Sequence, residues 1–134
     1  MTESAHGAAR IPIEFGDQEW GEEVERRTPN SPARVQAQRA RREIEAGRAR
    51  LAWKRCRSED APDRTSLPGC VKLYVPLDRQ GPSDAPYGFV FRLQQEADGR
   101  VSLNFVAFGV RHPENASTRT VYERAHRRLH GHFP

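Results

Sequence analysis

The chain has 134 residues, a formal net charge of +4, 36% hydrophobic residues and 30% charged residues. That length admits one domain with a modest core, and so high a charged fraction fits a soluble protein with a heavily charged surface. No apolar run approaches the ~20 residues that cross a bilayer, and the N-terminus lacks the apolar stretch of a secretory signal, so the expected compartment is the cytoplasm.

Residues 1–9 are small and polar and read as a disordered tail, which leaves 10–134 for a single folded domain. Ile11, Ile13 and Phe15 alternate with polar neighbours in a short strand that Pro12 confines to a sheet edge. Asp17 is placed to cap a short helix over 18–27, with Trp20 and Val24 on one face. Thr28-Pro-Asn-Ser-Pro32 then breaks the chain and restarts it, with Ser31 at an N-cap position and Pro32 at the first helical residue. From Pro32 to about Arg50, Ala33, Ala37, Ala40, Ile44, Gly47 and Leu51 recur at alternating spacings of four and three, the inner stripe of an amphipathic helix.

After a polar loop over 58–68 the period changes to two. Val71, Leu73, Val75 and Leu77 share one face of a strand, and Cys70, Lys72, Tyr74 and Pro76 share the other. A Pro/Gly/Ser/Asp loop over 78–86 precedes a second strand over 87–94, with Phe89, Phe91 and Leu93 on one face. Asp98-Gly99 signals a hairpin turn, and 101–111 forms a third strand, bulky on both faces and hence central. Thr120-Val-Tyr-Glu123 is a capping box that opens a last helix, with Val121, Ala125 and Leu129 inward and Gly131 as its stop. The expected architecture is α+β: a small antiparallel sheet of about four strands with its helices, two N-terminal and one C-terminal, packed on one face.

Charge is segregated along the chain. Nine cations lie between Arg34 and Arg57 (Arg34, Arg39, Arg41, Arg42, Arg48, Arg50, Lys54, Arg55, Arg57) against Glu43 and Glu45, while Asp17, Glu19, Glu22, Glu23 and Glu25 cluster earlier. A basic segment of this kind attracts phosphate backbones or an acidic protein, or is simply a solvated helix face, and charge alone leaves all three open. Cys56 and Cys70 are too sparse for a disulfide framework or a zinc site and read as two reduced thiols. His126 and His130 are four apart and His132 follows, but without an adjacent glutamate the macrodipole explains histidines near a helix C-terminus better than a metal does.

The segments Leu67-Pro-Gly-Cys-Val-Lys-Leu-Tyr-Val75, Tyr87-Gly-Phe-Val-Phe-Arg-Leu93, Phe105-Val-Ala-Phe-Gly-Val-Arg111 and Val121-Tyr-Glu-Arg-Ala125, in this order, resemble the RelE/ParE toxin superfamily over roughly residues 10–130. The resemblance implies the toxin of a type II toxin–antitoxin pair, a metal- and cofactor-independent endoribonuclease that cuts messenger RNA on the translating ribosome. Its partners would be RNA, the ribosome and a cognate antitoxin, with no membrane. The alternatives it leaves are a ParE-like inhibitor of DNA gyrase and a RelE-fold protein that binds RNA or a partner without cutting. In RelE-type chemistry the ribose 2'-hydroxyl attacks the adjacent phosphate while cations stabilise the added negative charge.

Carried over to this chain, Lys72 matches the first strand lysine, Arg111 the arginine that ends the third strand, and Tyr122 the helix tyrosine that handles the nucleophile. His112 joins them as a candidate acid or base, since an unperturbed imidazole titrates near ~6.5. Tyr74 falls where a second lysine is common, and Gly88 falls where the family carries a phosphate-binding arginine. Arg92, four residues on, is its expected partial substitute. Arg48, Arg50, Lys54 and Arg55 complete the expected RNA-binding surface.

Overall fold

The computed structural model describes residues 11–49, 54–56, 67–77, 85–113 and 118–130. The elements are β1 (Ile13–Glu14), α1 (Asp17–Trp20) running into a π-helical segment (Gly21–Glu25), α2 (Pro32–Glu45), β2 (Lys54–Arg55), β3 (Cys70–Val75), β4 (Tyr87–Gln95), β5 (Val101–Val110) and α3 (Val121–Leu129). The expected tail over 1–9, Arg50, Leu51 and the stop at Gly131 lie outside the described residues.

The α+β class holds, with two differences from expectation. The sheet has five strands in the order β1-β5-β4-β3-β2, and it is mixed, because β1 runs parallel to β5 while the other neighbours are antiparallel. The unexpected strand is β2, two exposed cations with no apolar periodicity to reveal it. It lies where the sequence extends the second helix. That helix stops at Glu45 because Gly47 takes a left-handed φ of 73°. The Gly47 N–H then bonds the Ile44 carbonyl at 3.1 Å and the Arg48 N–H bonds the Glu43 carbonyl at 3.0 Å, a Schellman closure that glycine permits. Gly47 is therefore the terminator of the stripe and not part of it.

Local signals elsewhere hold. The Ser31 hydroxyl accepts from the Arg34 N–H ahead of Pro32, and Thr120 and Glu123 form the full capping box of α3. The first helix begins at Asp17 itself after Gly16, with no side-chain cap, and Trp20 and Val24 both turn into the core.

The second difference is layering. On one face, Leu73, Val75, Phe89, Phe91, Leu103, Phe105 and Phe108 meet Phe15, Trp20, Val24, Ala37, Ala40 and Ile44. Phe15 sits edge-on to Trp20 at 5.3 Å and to Phe91 at 5.6 Å between ring centroids, in the perpendicular geometry aromatic quadrupoles favour. On the other face, Cys70, Val90, Val106 and Ala107 meet Leu67 and α3 through Val121 and Ala125. The C-terminal helix thus covers the face opposite the N-terminal pair.

A bulge in β5 makes this possible. Val90 pairs with Ala107 and Phe91 with Phe105, leaving Val106 as an extra residue. Phe105 and Phe108 consequently share one face while Val106 and Ala107 share the other. Downstream of the bulge, Gly109 and Arg111 fall on the α3 face. Strict alternation from Leu103 would have sent Arg111 into the aromatic core.

Candidate nucleic-acid interface

Four of the expected residues converge on the α3 face. Lys72 and Tyr74 come from alternate positions of β3, Arg111 from the end of β5, and Tyr122 from the first turn of α3. The Arg111 guanidinium lies 3.9 Å from the Tyr74 ring centroid. The Lys72 Nζ stands 5.1 Å from the Tyr122 ring and 5.9 Å from the Tyr74 ring, both within cation–π range. Arg111 is 6% exposed; its Nη1 donates to the Ala85 carbonyl at 2.8 Å and its Nε to the Tyr122 hydroxyl at 3.2 Å. It therefore positions Tyr122 and ties the loop before β4 to the end of β5, with little of its surface open to a ligand.

Burial pushes the Tyr122 phenol above its ordinary range, opposed by the hydrogen bond from Arg111. At neutral pH its hydroxyl is protonated and accepts from the Arg111 Nε.

Lys54 joins the cluster by a route the sequence did not suggest. It sits on β2 directly opposite Lys72, on the same face, while its neighbour Arg55 sits opposite Val71 on the other. Like charges placed directly across a strand pair repel. Among the described residues neither ammonium makes an ion pair, so an anion between them would relieve the repulsion.

The remaining expected residues lie apart. Arg92 is opposite Cys70, four residues from Gly88 and so about 13 Å along the strand, where it is exposed and cannot replace an arginine at 88. His112 is exposed just beyond β5. Arg48, past the end of α2, is held by Glu43 in a bidentate pair at 2.9 and 3.1 Å, which lowers the Glu43 carboxyl and raises the guanidinium. The basic helix α2 covers the aromatic core, and Arg41 stacks over Phe15 and Trp20 at 4.9 and 4.7 Å. Arg50 lies outside the described residues.

Gly88 pairs with Gly109 across β4 and β5, against the start of α3. A Cβ at Gly88 would stand 3.4 Å from the Arg111 Cγ and 3.5 Å from Val121, and one at Gly109 would stand 3.4 Å from the Arg27 Nη2 and 3.6 Å from the Val121 backbone. These are ordinary van der Waals distances, so neither position demands glycine by itself, and an arginine at 88 would have to run alongside Arg111.

One residue the sequence reading did not single out is Glu23, fully buried in the π-helical segment. It accepts from the Phe108 N–H at 3.2 Å, from Arg124 at Nε (3.0 Å) and at Nη2, and from Arg128 Nη1 at 3.3 Å. Arg27 lies 3.7 Å from it and donates to the Phe108 carbonyl. Glu23 and Arg27 thus satisfy the edge of β5 beyond the reach of β1 and bind α3 from the opposite layer. The cluster of acids before residue 26 was the signal in the sequence; its partners lie 101 and 105 residues away.

Among the described residues no group of three His, Cys, Asp or Glu side chains is arranged to hold a metal, and no helix is long and apolar enough to cross a membrane. His126 and His130 stack ring on ring at 4.1 Å, and the His130 Nδ1 bonds the His126 carbonyl. No family model matches the sequence, and neither a curated protein nor a solved structure matches it, so the motif resemblance and the geometry above carry the functional argument.

Proposed function

We propose that the chain is a RelE-like endoribonuclease toxin that takes a single-stranded RNA phosphodiester on its α3 face. The observation that carries this reading is the convergence of Lys72, Tyr74, Arg111 and Tyr122, with Lys54 opposite Lys72, on one face of the sheet. An ammonium beside two aromatic rings, with a second lysine directly across the strand pair, suits a phosphate with its adjoining base, the cations binding charge and the rings offering stacking surfaces. In this reading Lys72 and Lys54 stabilise the charge that develops as the 2'-hydroxyl attacks, Tyr122 donates to a phosphate oxygen, and Arg111 holds Tyr122 in place. His112, beside Arg111 in the chain and exposed, is the imidazole this reading assigns to proton transfer. A cognate antitoxin would be an acidic segment laid over the same cations.

A second reading, RNA binding without cleavage, is favoured by the occupied guanidinium of Arg111 and the protonated phenol of Tyr122. Gly88, standing where the family carries an arginine, is the feature that favours the remaining alternative, a gyrase inhibitor. Primer extension on messenger RNA from translating ribosomes tests the proposal. The chain should create new 5' ends, and Lys72→Gln should slow cleavage about a hundredfold without unfolding the chain. An intact message with RNA binding that Lys72→Gln weakens supports the second reading; no cleavage and no RNA binding overturns both.

A further inference from the structure

The structure assigns Cys56 and Cys70 to one rung of the β2–β3 ladder, and we propose that they form a reversible cross-strand disulfide. Lys54 is opposite Lys72, Arg55 is opposite Val71, and the Cys56 N–H donates to the Cys70 carbonyl at 3.1 Å, so the next pair in register is the two cysteines. Directly opposed side chains share a face, and both sulfurs lie in the apolar cluster with Val90 and Tyr122.

Just past the end of β2 this rung keeps one of its two bonds, since the Cys70 N–H goes to the Leu67 carbonyl at 3.3 Å. Cα atoms at a hydrogen-bonded antiparallel rung stand ~5.5 Å apart, within the ~4.4–6.8 Å that disulfides span. The Cβ atoms at such a rung are ~4.5–5.5 Å apart and a disulfide needs ~3.8 Å, so closure asks for roughly 1 Å of movement. The two-residue edge strand β2, paired only to β3, is where that movement is cheapest. Both cysteines are thiols in this structure.

The oxidant is a low-molecular-weight disulfide. The Cys56 thiolate, on the more open of the two residues, attacks one sulfur of the reagent and expels one small thiolate. The Cys70 thiolate then attacks the Cys56 sulfur of the mixed disulfide and expels the second. Two protein thiols and one small disulfide thus become one protein disulfide and two small thiols, the protons going to the expelled thiolates at neutral pH.

Burial pushes the Cys56 thiol up to about 12 and the Cys70 thiol up to about 11. Closure is therefore slow at neutral pH and speeds up with alkalinity, and the same poor leaving groups make the closed bridge slow to reopen. Closing it would fix Lys54 against Lys72. The proposal does not depend on the RNA reading.

The test is to incubate the reduced full-length chain with oxidised glutathione and follow its intact mass. The expected product is a monomer lighter by two hydrogens, with a digest that joins the peptides carrying Cys56 and Cys70. Its rate of formation should rise about tenfold per pH unit. Cys70→Ser should stop at a glutathione adduct on Cys56. The proposal is overturned by adducts that persist on the native chain, by disulfide-linked dimers as the main product, or by native thiols that stay unreacted while the urea-unfolded chain closes the bridge.

Discussion

The two faces of the sheet are drawn from the same strands and differ in what they bury. Under α1 and α2, the phenylalanines of β4 and β5 interlock with Phe15 and Trp20, and Arg41 of α2 stacks over those two rings. Under α3 the inward residues are small (Val90, Val106, Ala107, Gly88 and Gly109), so the helix sits close and leaves the end of the sheet to Lys72, Tyr74, Arg111 and Tyr122. The comparison teaches that the helix carrying much of the basic stretch lies over the aromatic core, while the site rests on a few cations that the opposite face brings together. The faces are joined at the β5 edge by Glu23.

Cutting that joint should have the largest effect. Glu23→Gln leaves Arg124, Arg128 and Arg27 clustered around a site without its carboxylate, and losing one partner of a buried ion network costs about 3 kcal/mol. Urea unfolding should show a correspondingly lower midpoint; a change under about 0.5 kcal/mol, the scale of ordinary surface substitutions, would mean the two layers do not depend on this bridge.

Gly88→Arg sharpens the comparison at the other end. Restoring the residue the resemblance expects should destabilise the chain by about 1–3 kcal/mol, because the atoms beyond a Cβ that already touches Arg111 and Val121 must be fitted into the packing there. It should also fail to strengthen RNA binding. Tighter binding at unchanged stability would show that the glycine is not needed.

The smallest effect at neutral pH, felt only in alkali, belongs to the α3 face. Tyr122, Cys56 and Cys70 are all held protonated by burial, the thiols with folded values of about 12 and 11. Their folded pKa values lie above the unfolded ones, so from about pH 9, where unfolded thiols begin to ionise, the folded state binds more protons and stability falls as pH rises. Replacing both cysteines by alanine should flatten the decline in urea midpoint between about pH 9 and 11. An equally steep decline in that variant would place its cause outside the thiols.

Much of the fold was legible because its signals act over a few residues. The Ser31-Pro32 restart, the Thr120 and Glu123 capping box and the alternation in β3 each depend on neighbours within one or two turns. The extent of α2 was misread because Gly47 fits the spacing of the stripe while its φ ends the helix. The strand β2 escaped notice because two cations have no periodicity of their own; only pairing with β3 makes them a strand. Lys72, Arg111 and Tyr122 stand in the motif words, whereas Lys54 has only its charge to mark it, and pairing with β3 is what sets it opposite Lys72.

By itself, then, the sequence determined the elements other than β2, the capped starts of α2 and α3, the alternation of β3 and the residues rich in chemistry, since these follow from local sterics and from burial at periods of two and 3.6. Which residues share a face was decided by tertiary structure. The extra residue at Val106 turns Arg111 away from the phenylalanines and toward Tyr122, and the glycine pair at 88 and 109 lets α3 come close enough to receive it. A bulge reverses every side chain beyond it, and no local pattern in the sequence shows where a partner strand will accommodate one.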